Sequence, residues 1–268
     1  MELIRKITSR DNDQVKHARR VRDGRVGGKI FLEGLRLVDE AARARTRIDS
    51  VFVTSEVLDE LGEAELTAWL RPQRIYQVPE PILQSFADTS TSQGIIAIAD
   101  PPETGPEKLD NVHTSTVPLV VFLHRINNPS NLGAVIRTAE AAGVAGAIVS
   151  TDSADVFSPK SLRAAMGSSL RLPLWTDVRF DDAIDWARAK RLRTVAADVS
   201  ASRSYTSVDW QIPRLLVFGS EAHGLDDEIL EKIDEPVLIP MEKDVESLNL
   251  AVACGVVLFE ARRQAADR

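Results

Sequence analysis

Short, fully apolar runs alternate with stretches of helical period through the second half of the chain. Strand candidates are Val117–Leu123, Gly146–Val149, Leu172–Trp175, Thr194–Ala197, Leu215–Phe218 and Pro236–Ile239. Helical stretches lie between and after them at Asn131–Ala142, Pro159–Ala165, Phe180–Lys190, Asp226–Lys232 and Ser247–Gln264. Such alternation implies a parallel sheet covered on both faces. Open sheets of this kind take ligands beyond the carboxyl ends of their strands. The first half is less regular. Val15, Ala18 and Val21 recur at helical spacing within a basic stretch, and Leu35, Leu37, Val38, Ala41 and Ala42 do so after Phe31-Leu-Glu-Gly34. Ala64–Leu70 reads as a helix; Ile48–Thr54, Arg74–Val78 and the run from Gly94 read as strands. Asp100-Pro-Pro-Glu-Thr-Gly-Pro and the polar residues to Thr116 have turn composition and no apolar period. The expected layout is a small α/β domain at 1–104, a linker at 105–117 and a larger α/β domain at 118–268.

Composition adds bounds. The chain has 268 residues, 44% hydrophobic and 27% charged, enough for two folded domains. A single cysteine, Cys254, excludes an internal disulfide framework and reads as a small buried apolar residue among Ala253, Gly255 and Val256. The four histidines are scattered and show no zinc spacing, so no metal is expected. The opening MELIRKITSRDNDQ lacks a signal-peptide core, and no run reaches membrane-span length. A cytoplasmic location is the expectation. Net charge is −7, but residues 1–47 hold 13 of the 33 Lys and Arg against 7 of the 40 Asp and Glu. A basic segment on an acidic body suggests a localised polyanion contact; solvated helix faces are the alternative.

Three loops at strand ends carry the candidate chemistry. After Leu123 comes His-Arg-Ile-Asn-Asn-Pro-Ser-Asn-Leu-Gly-Ala-Val-Ile-Arg, where Ser130 or Asn131 can cap a helix and Asn131 is favoured for the cap. Six residues separate Asn131 from Arg137, so the two do not share an ideal helix face. After Phe218 comes Gly-Ser-Glu-Ala-His-Gly-Leu. Gly219 permits close backbone approach and Gly224 a turn with positive φ, but turn geometry does not account for Glu221. After Ile239 comes Pro-Met-Glu-Lys-Asp-Val-Glu-Ser-Leu-Asn. Here Ser247 is a natural cap for a helix beginning near Leu248, with Asn249 in its first turn. Either these polar groups only cap the helix or something binds there. Together, the three loops suggest a pocket rich in backbone contacts. No G-x-G-x-x-G, phosphate-binding loop or G-x-S-x-G elbow is present.

At these loops the sequence resembles the SpoU, or TrmH-like, family of RNA 2′-O-ribose methyltransferases within the SPOUT superfamily. The resemblance rests on Asn131-Leu-Gly-Ala-Val-Ile-Arg137, Val217-Phe-Gly-Ser-Glu-Ala-His-Gly224, and Ile239-Pro-Met with Glu246-Ser-Leu-Asn-Leu250. Ser158-Pro-Lys-Ser-Leu-Arg-Ala-Ala-Met-Gly167 also looks like the family, while Phe31-Leu-Glu-Gly34 and Gln93-Gly94 resemble an L30e-like substrate-binding domain. The resemblance implies an α/β fold with a C-terminal trefoil knot, S-adenosylmethionine as cofactor, and a homodimer with active sites near the interface. It puts the cofactor against Gly219, Ile239 and Leu248, with Met241, Ser247 and Asn249 nearby. The family's reading makes Arg137 a base; arginine resists deprotonation, so Arg137 is read instead as binding phosphate and stabilising the developing 2′ oxyanion. Asn131 would orient it or the ribose, and Glu221 would hold the loop. Arg5, Lys6, Arg10, Lys16, Arg19, Arg20 and Arg22 are the candidate RNA contacts. Ribosomal RNA is the leading substrate, with tRNA, or a non-catalytic RNA-binding role, as alternatives. His124 stands where family members often carry an acid, so that corner is expected to be more basic.

Overall fold

The computed structural model describes residues 4–220, 224–243 and 245–267. The chain forms two compact units. The first runs up to Pro102 and includes Phe157–Arg171; the second is Glu103–Val156 with the chain from Leu172 onward.

In the first unit the elements are β1 (Ile4–Lys6), α1 (Asp13–Arg22), β2 (Ile30–Glu33), α2 (Leu35–Arg43), β3 (Ile48–Val53), α3 (Ser55–Leu61), α4 (Glu63–Leu70), β4 (Arg74–Gln77), α5 (Glu80–Gln84) and β5 (Ile95–Ala99). Their sheet order is β1-β4-β3-β5-β2, with β5 antiparallel to both neighbours. The strands β2, β3 and β5 are buried on both faces, and alternate residues enter different cores. Ile30, Leu32, Val51, Val53, Ile75, Ile95 and Ala97 face α2 and α4. Phe31, Phe52, Tyr76, Ile96 and Ile98 face Val15, Ala18 and Val21 of α1 and Ile82 and Leu83 of α5. The two strands β1 and β2 had no place in the sequence reading. Each is short, and β1 is a charged edge strand with Arg5 and Lys6 exposed.

The second unit begins with a 3-10 helix at Pro106–His113, inside the stretch that reads as linker. Leu109 and Val112 are spaced by three, one turn of such a helix, and both are fully buried. Gly146 leaves the room for Leu109: a Cβ there would lie 2.4 Å from Leu109 Cδ2. Next come β6 (Val117–Leu123), α6 (Pro129–Ala142) and β7 (Val144–Ser150). After α7 (Pro159–Ala165), which packs with the first unit, the second resumes with β8 (Leu174–Val178), α8 (Phe180–Ala189), β9 (Arg193–Ala197), β10 (Arg214–Phe218), α9 (Asp227–Leu230), β11 (Glu235–Val237) and α10 (Leu250–Ala266). All six strands are parallel, in the order β11-β9-β10-β6-β7-β8. One face packs on Ala183, Ile184 and Ala187 of α8. The helices α6 and α10 pack on each other and on β6. The fold class read from the alternation, a mostly parallel α/β sheet preceded by a smaller α/β domain, is the one found.

Candidate active site

Register places the candidate loops side by side. Phe218 is opposite Leu123, and the His124 amide extends the ladder to the Phe218 carbonyl at 2.9 Å. Ala197 is opposite Val237, and the Asp198 amide donates to the Val237 carbonyl at 2.8 Å. The carboxyl ends of β6, β9, β10 and β11 therefore share one edge, and the loops that follow them converge there.

That edge carries a crevice of 530 Å³. Gly219, Ile239, Met241, Ser247, Leu248 and Asn249 all line it, and so does Asn131. Beyond β10, Ser220 and Gly224 exchange backbone hydrogen bonds at 3.1 and 2.9 Å. Gly224 supplies the positive φ of +66°. A Cβ on Gly219 would lie 2.1 Å from the Gly224 carbonyl oxygen, so only glycine lets the strand end and Gly224 meet. Glu221 lies outside the described residues.

Both caps differ from the sequence reading. The N-cap of α6 is Asn128, whose Oδ1 accepts the Ser130 amide at 2.9 Å, with Pro129 at the first helical position. Asn131 therefore sits in the first turn rather than at the cap. In α10 the cap is Asn249, not Ser247; its Oδ1 accepts the amides of Ala251 at 2.9 Å and Val252 at 3.4 Å. Asparagine at this position removes the need for a serine two residues earlier. With Oδ1 so engaged, Asn249 Nδ2 faces the other way and donates to Asn131 Oδ1 at 3.2 Å. The polar entrance to an otherwise apolar helix thus caps it, lines the crevice and ties it to the start of α6.

The remaining candidates lie apart from this cluster. Arg137 is exposed, two turns further along α6, and does not line the crevice. The basic candidates are spread along the start of the first unit. Arg5, Lys6, Lys16 and Arg20 are exposed. Arg10 donates to the Pro81 carbonyl at 3.2 Å, Arg19 to Ser85 Oγ at 3.5 Å, and Arg22 to the Ala87 carbonyl at 3.1 Å and to Asp23. These three brace α1 and its approach against the α5 region.

His124 corrects the picture of a basic corner. Its ring is buried against Phe122 and Phe180, at centroid distances of 5.9 and 5.2 Å. Neither ring nitrogen has a hydrogen-bond partner among the described residues. Burial, then the adjacent Arg125 charge, pushes its pKa below the usual histidine value. The residue is neutral at pH 7, and Arg125 is held by Asp226 at 3.2 Å and Asp152 at 3.8 Å. Asp198 was missed in the sequence. It lines the crevice directly after β9, and its Oδ1 accepts the Ser200 amide and hydroxyl at 2.8 and 2.6 Å. An acid following an apolar strand of an open parallel sheet was the available signal. Cys254 is fully buried, and desolvation pushes its thiol pKa far up, which removes it as a nucleophile.

Comparison with known proteins places this geometry. The chain is 32% identical to an uncharacterised tRNA/rRNA methyltransferase of Synechocystis, over 97% of this chain and 94% of the relative. It is 27% identical to the 23S rRNA (guanosine(2553)-2′-O)-methyltransferase RlmP of Bacillus subtilis, over 97% of this chain and all of that protein. The crystal structure of an AdoMet-bound rRNA methyltransferase from Sinorhizobium meliloti superposes with a TM-score of 0.84 at 30% identity, covering 97% of this chain and 98% of that one. Residues 31–105 match the RNA 2′-O ribose methyltransferase substrate-binding model, and residues 118–259 match the SpoU rRNA methylase model. With its crevice at the ends of β10 and β11 and its polar helix entrance, the chain belongs to the SpoU rRNA methylase family.

Proposed function

We propose that this chain transfers a methyl group from S-adenosylmethionine to a ribose 2′-hydroxyl of ribosomal RNA. The observation that carries the reading is the crevice itself. It is walled by the strand end at Gly219, the segment Ile239–Met241 and the capped entrance of α10. Its size suits a nucleoside-bearing ligand. Backbone groups at Gly219, Ile239 and Leu248 would hold the cofactor, with Met241, Ser247 and Asn249 beside them. The bound cofactor supplies a methyl group already activated by its sulfonium charge. The chain's own task is alignment, which contributes up to roughly 7–11 kcal/mol in ideal cases. Asn131, fixed by Asn249, orients the ribose at the rim. Arg137 binds the adjoining phosphate and stabilises charge developing on the 2′ oxygen, a role its permanent protonation suits. Glu221 is read from the sequence as the residue that would hold the loop following Phe218.

The first domain, 1–104, is read as the RNA-binding part, with Arg5, Lys6, Lys16 and Arg20 the basic residues most open to phosphate and Arg10, Arg19 and Arg22 adding to the field. The domain at 118–268 carries the chemistry, joined through 105–117. A homodimer is supported by the outer face of α10, where Val252 and Phe259 are 53% and 50% exposed and Val256 lies between them on the same stripe. Among the described residues no helix is long and apolar enough to cross a membrane; we place the protein in the cytoplasm with its RNA. Full-length similarity to the RlmP enzyme of Bacillus subtilis favours rRNA over tRNA. The test is incubation with labelled S-adenosylmethionine and separated rRNA and tRNA, followed by nucleoside analysis. A 2′-O-methylated nucleoside from rRNA is expected. Label only in tRNA, or only on a base, would overturn the assignment.

A further inference from the structure

We propose that the first unit carries a second RNA-contact site, an arginine-lined recess that grips the phosphates of a single-stranded RNA segment. The proposal rests on the reading of the chain as an RNA methyltransferase, but not on the basic residues assigned above. The recess has a volume of 740 Å³ and lies where α2 and α4 end and β3 begins. Arg43, Arg45, Arg47, Arg71, Trp69 and Gln73 line it. It is on the α2–α4 face of the sheet, whereas α1 packs on the opposite face. The recess and the α1 residues therefore engage different parts of an RNA.

Arginines near helix carboxyl ends often serve only to satisfy carbonyls. Here the chain closes those ends with its own backbone. The amides of Ala44, Arg45 and Thr46 donate to Glu40, Ala42 and Ala41 at 2.9, 3.0 and 2.9 Å, and the Arg71 amide donates to Thr67 at 2.9 Å. Two of the arginines also occupy costly backbone positions. Arg45 has φ 57° and Arg71 φ 45°, both left-handed, at helix ends where glycine is the less strained residue. Strain of this kind persists where a side chain is wanted in that place. Among the described residues neither guanidinium has an ion-pair partner. Arg43 pairs with Asp39 at 2.8 Å and Arg47 lies 3.8 Å from Asp100, so Arg45 and Arg71 are the uncompensated pair.

The chemistry suits RNA. A guanidinium fork matches two phosphate oxygens. Trp69 stands in the wall with its indole N–H anchored on Asp39 at 3.1 Å, which fixes its ring plane as a surface on which a base can stack. An acidic protein segment would use the charges but not the ring plane.

The test is the double variant Arg45→Gly with Arg71→Gly, assayed for rRNA binding across a salt series. Glycine suits both backbone positions, so the melting temperature is expected to hold or rise, and S-adenosylmethionine binding to stay unchanged. The rRNA affinity is expected to fall about tenfold, with the salt slope shallower by about 1.4, two single-strand phosphate contacts. Lys16→Ala with Arg20→Ala serves as the control on the other face. Unchanged affinity and slope in the glycine variant, beside weakened binding in the control, would overturn the recess and leave the RNA reading standing. Wild-type protein that binds no rRNA would bring down both. Polyglutamate that competes as well as RNA, and loses its hold in the glycine variant, would reassign the recess to an acidic protein and overturn the proposal.

Discussion

Asn249 uses the two ends of one amide for two tasks. Its oxygen caps α10 and its nitrogen reaches Asn131. Asn249→Ala removes both, so about 1 kcal/mol of stability should be lost with the cap, together with more than tenfold in methyl transfer. Asn249→Asp separates the tasks, because a carboxylate still caps but cannot donate to Asn131. It should keep the melting temperature and lose the activity; an active Asp variant would show that the bond to Asn131 is dispensable. His124 gives a residue-scale pH dependence. Its folded pKa lies below its ordinary value of 6.5, so the unfolded chain binds more protons just below that pH. The stabilisation is complete above about 6.5 and is lost as the pH falls through that value towards the lower folded pKa. The melting temperature should fall between pH 7 and 5, and His124→Phe, packed between the same rings, should flatten that slope. The same slope in the variant would assign it to other groups.

At the scale of elements, β10 and β11 flank β9 and are linked across it by charge. Arg214, only 3% exposed, pairs with Glu235 at 2.8 Å; Arg203 and Arg193 approach the same carboxylate at 2.5 and 3.6 Å. Burial pushes Glu235 up, but the Arg214 hydrogen bond and the three guanidinium charges overrule it and hold it below the usual glutamate value. Glu235→Ala leaves Arg214 buried without its counter-charge, which should cost about 3–5 kcal/mol. Chemical denaturation measures this directly, and a loss below about 1 kcal/mol would mean water replaces the carboxylate. The outer stripe of α10 carries a second prediction. On the proposed homodimer, the wild-type chain should run as a dimer in light scattering and Phe259→Glu as a folded monomer; a monomeric wild type, or an unchanged mass in the variant, would count against a dimer through this face.

For the whole molecule, legibility followed locality. β6 and α7 have the bounds their apolar patterns indicate, and the parallel sheet followed from fully apolar strands. The crevice was legible because three polar loops each followed such a strand, and the register of β6, β9, β10 and β11 brings them to one edge. What stayed hidden depended on partners far along the chain. Leu109 and Val112 look isolated in a polar stretch until the sheet of the second unit covers them. Nothing local says that 157–171 packs with the first unit, where Arg163 meets Asp88 at 2.5 Å. The burial of His124 was hidden for the same reason, since Phe180 arrives from another element. Cap positions moved by two or three residues because several asparagines and serines compete for one role, and only the backbone geometry chooses among them.

The central claim, that the crevice at the ends of β10 and β11 is the cofactor site, is tested most directly by calorimetry with S-adenosylmethionine. Ala253 lines that crevice from within α10, where a larger side chain fills space without straining the backbone. Wild-type protein should bind one cofactor per chain, and Ala253→Phe, folded by circular dichroism, should bind at least a hundredfold more weakly. Equal affinity in the two proteins would place the cofactor elsewhere and contradict the account.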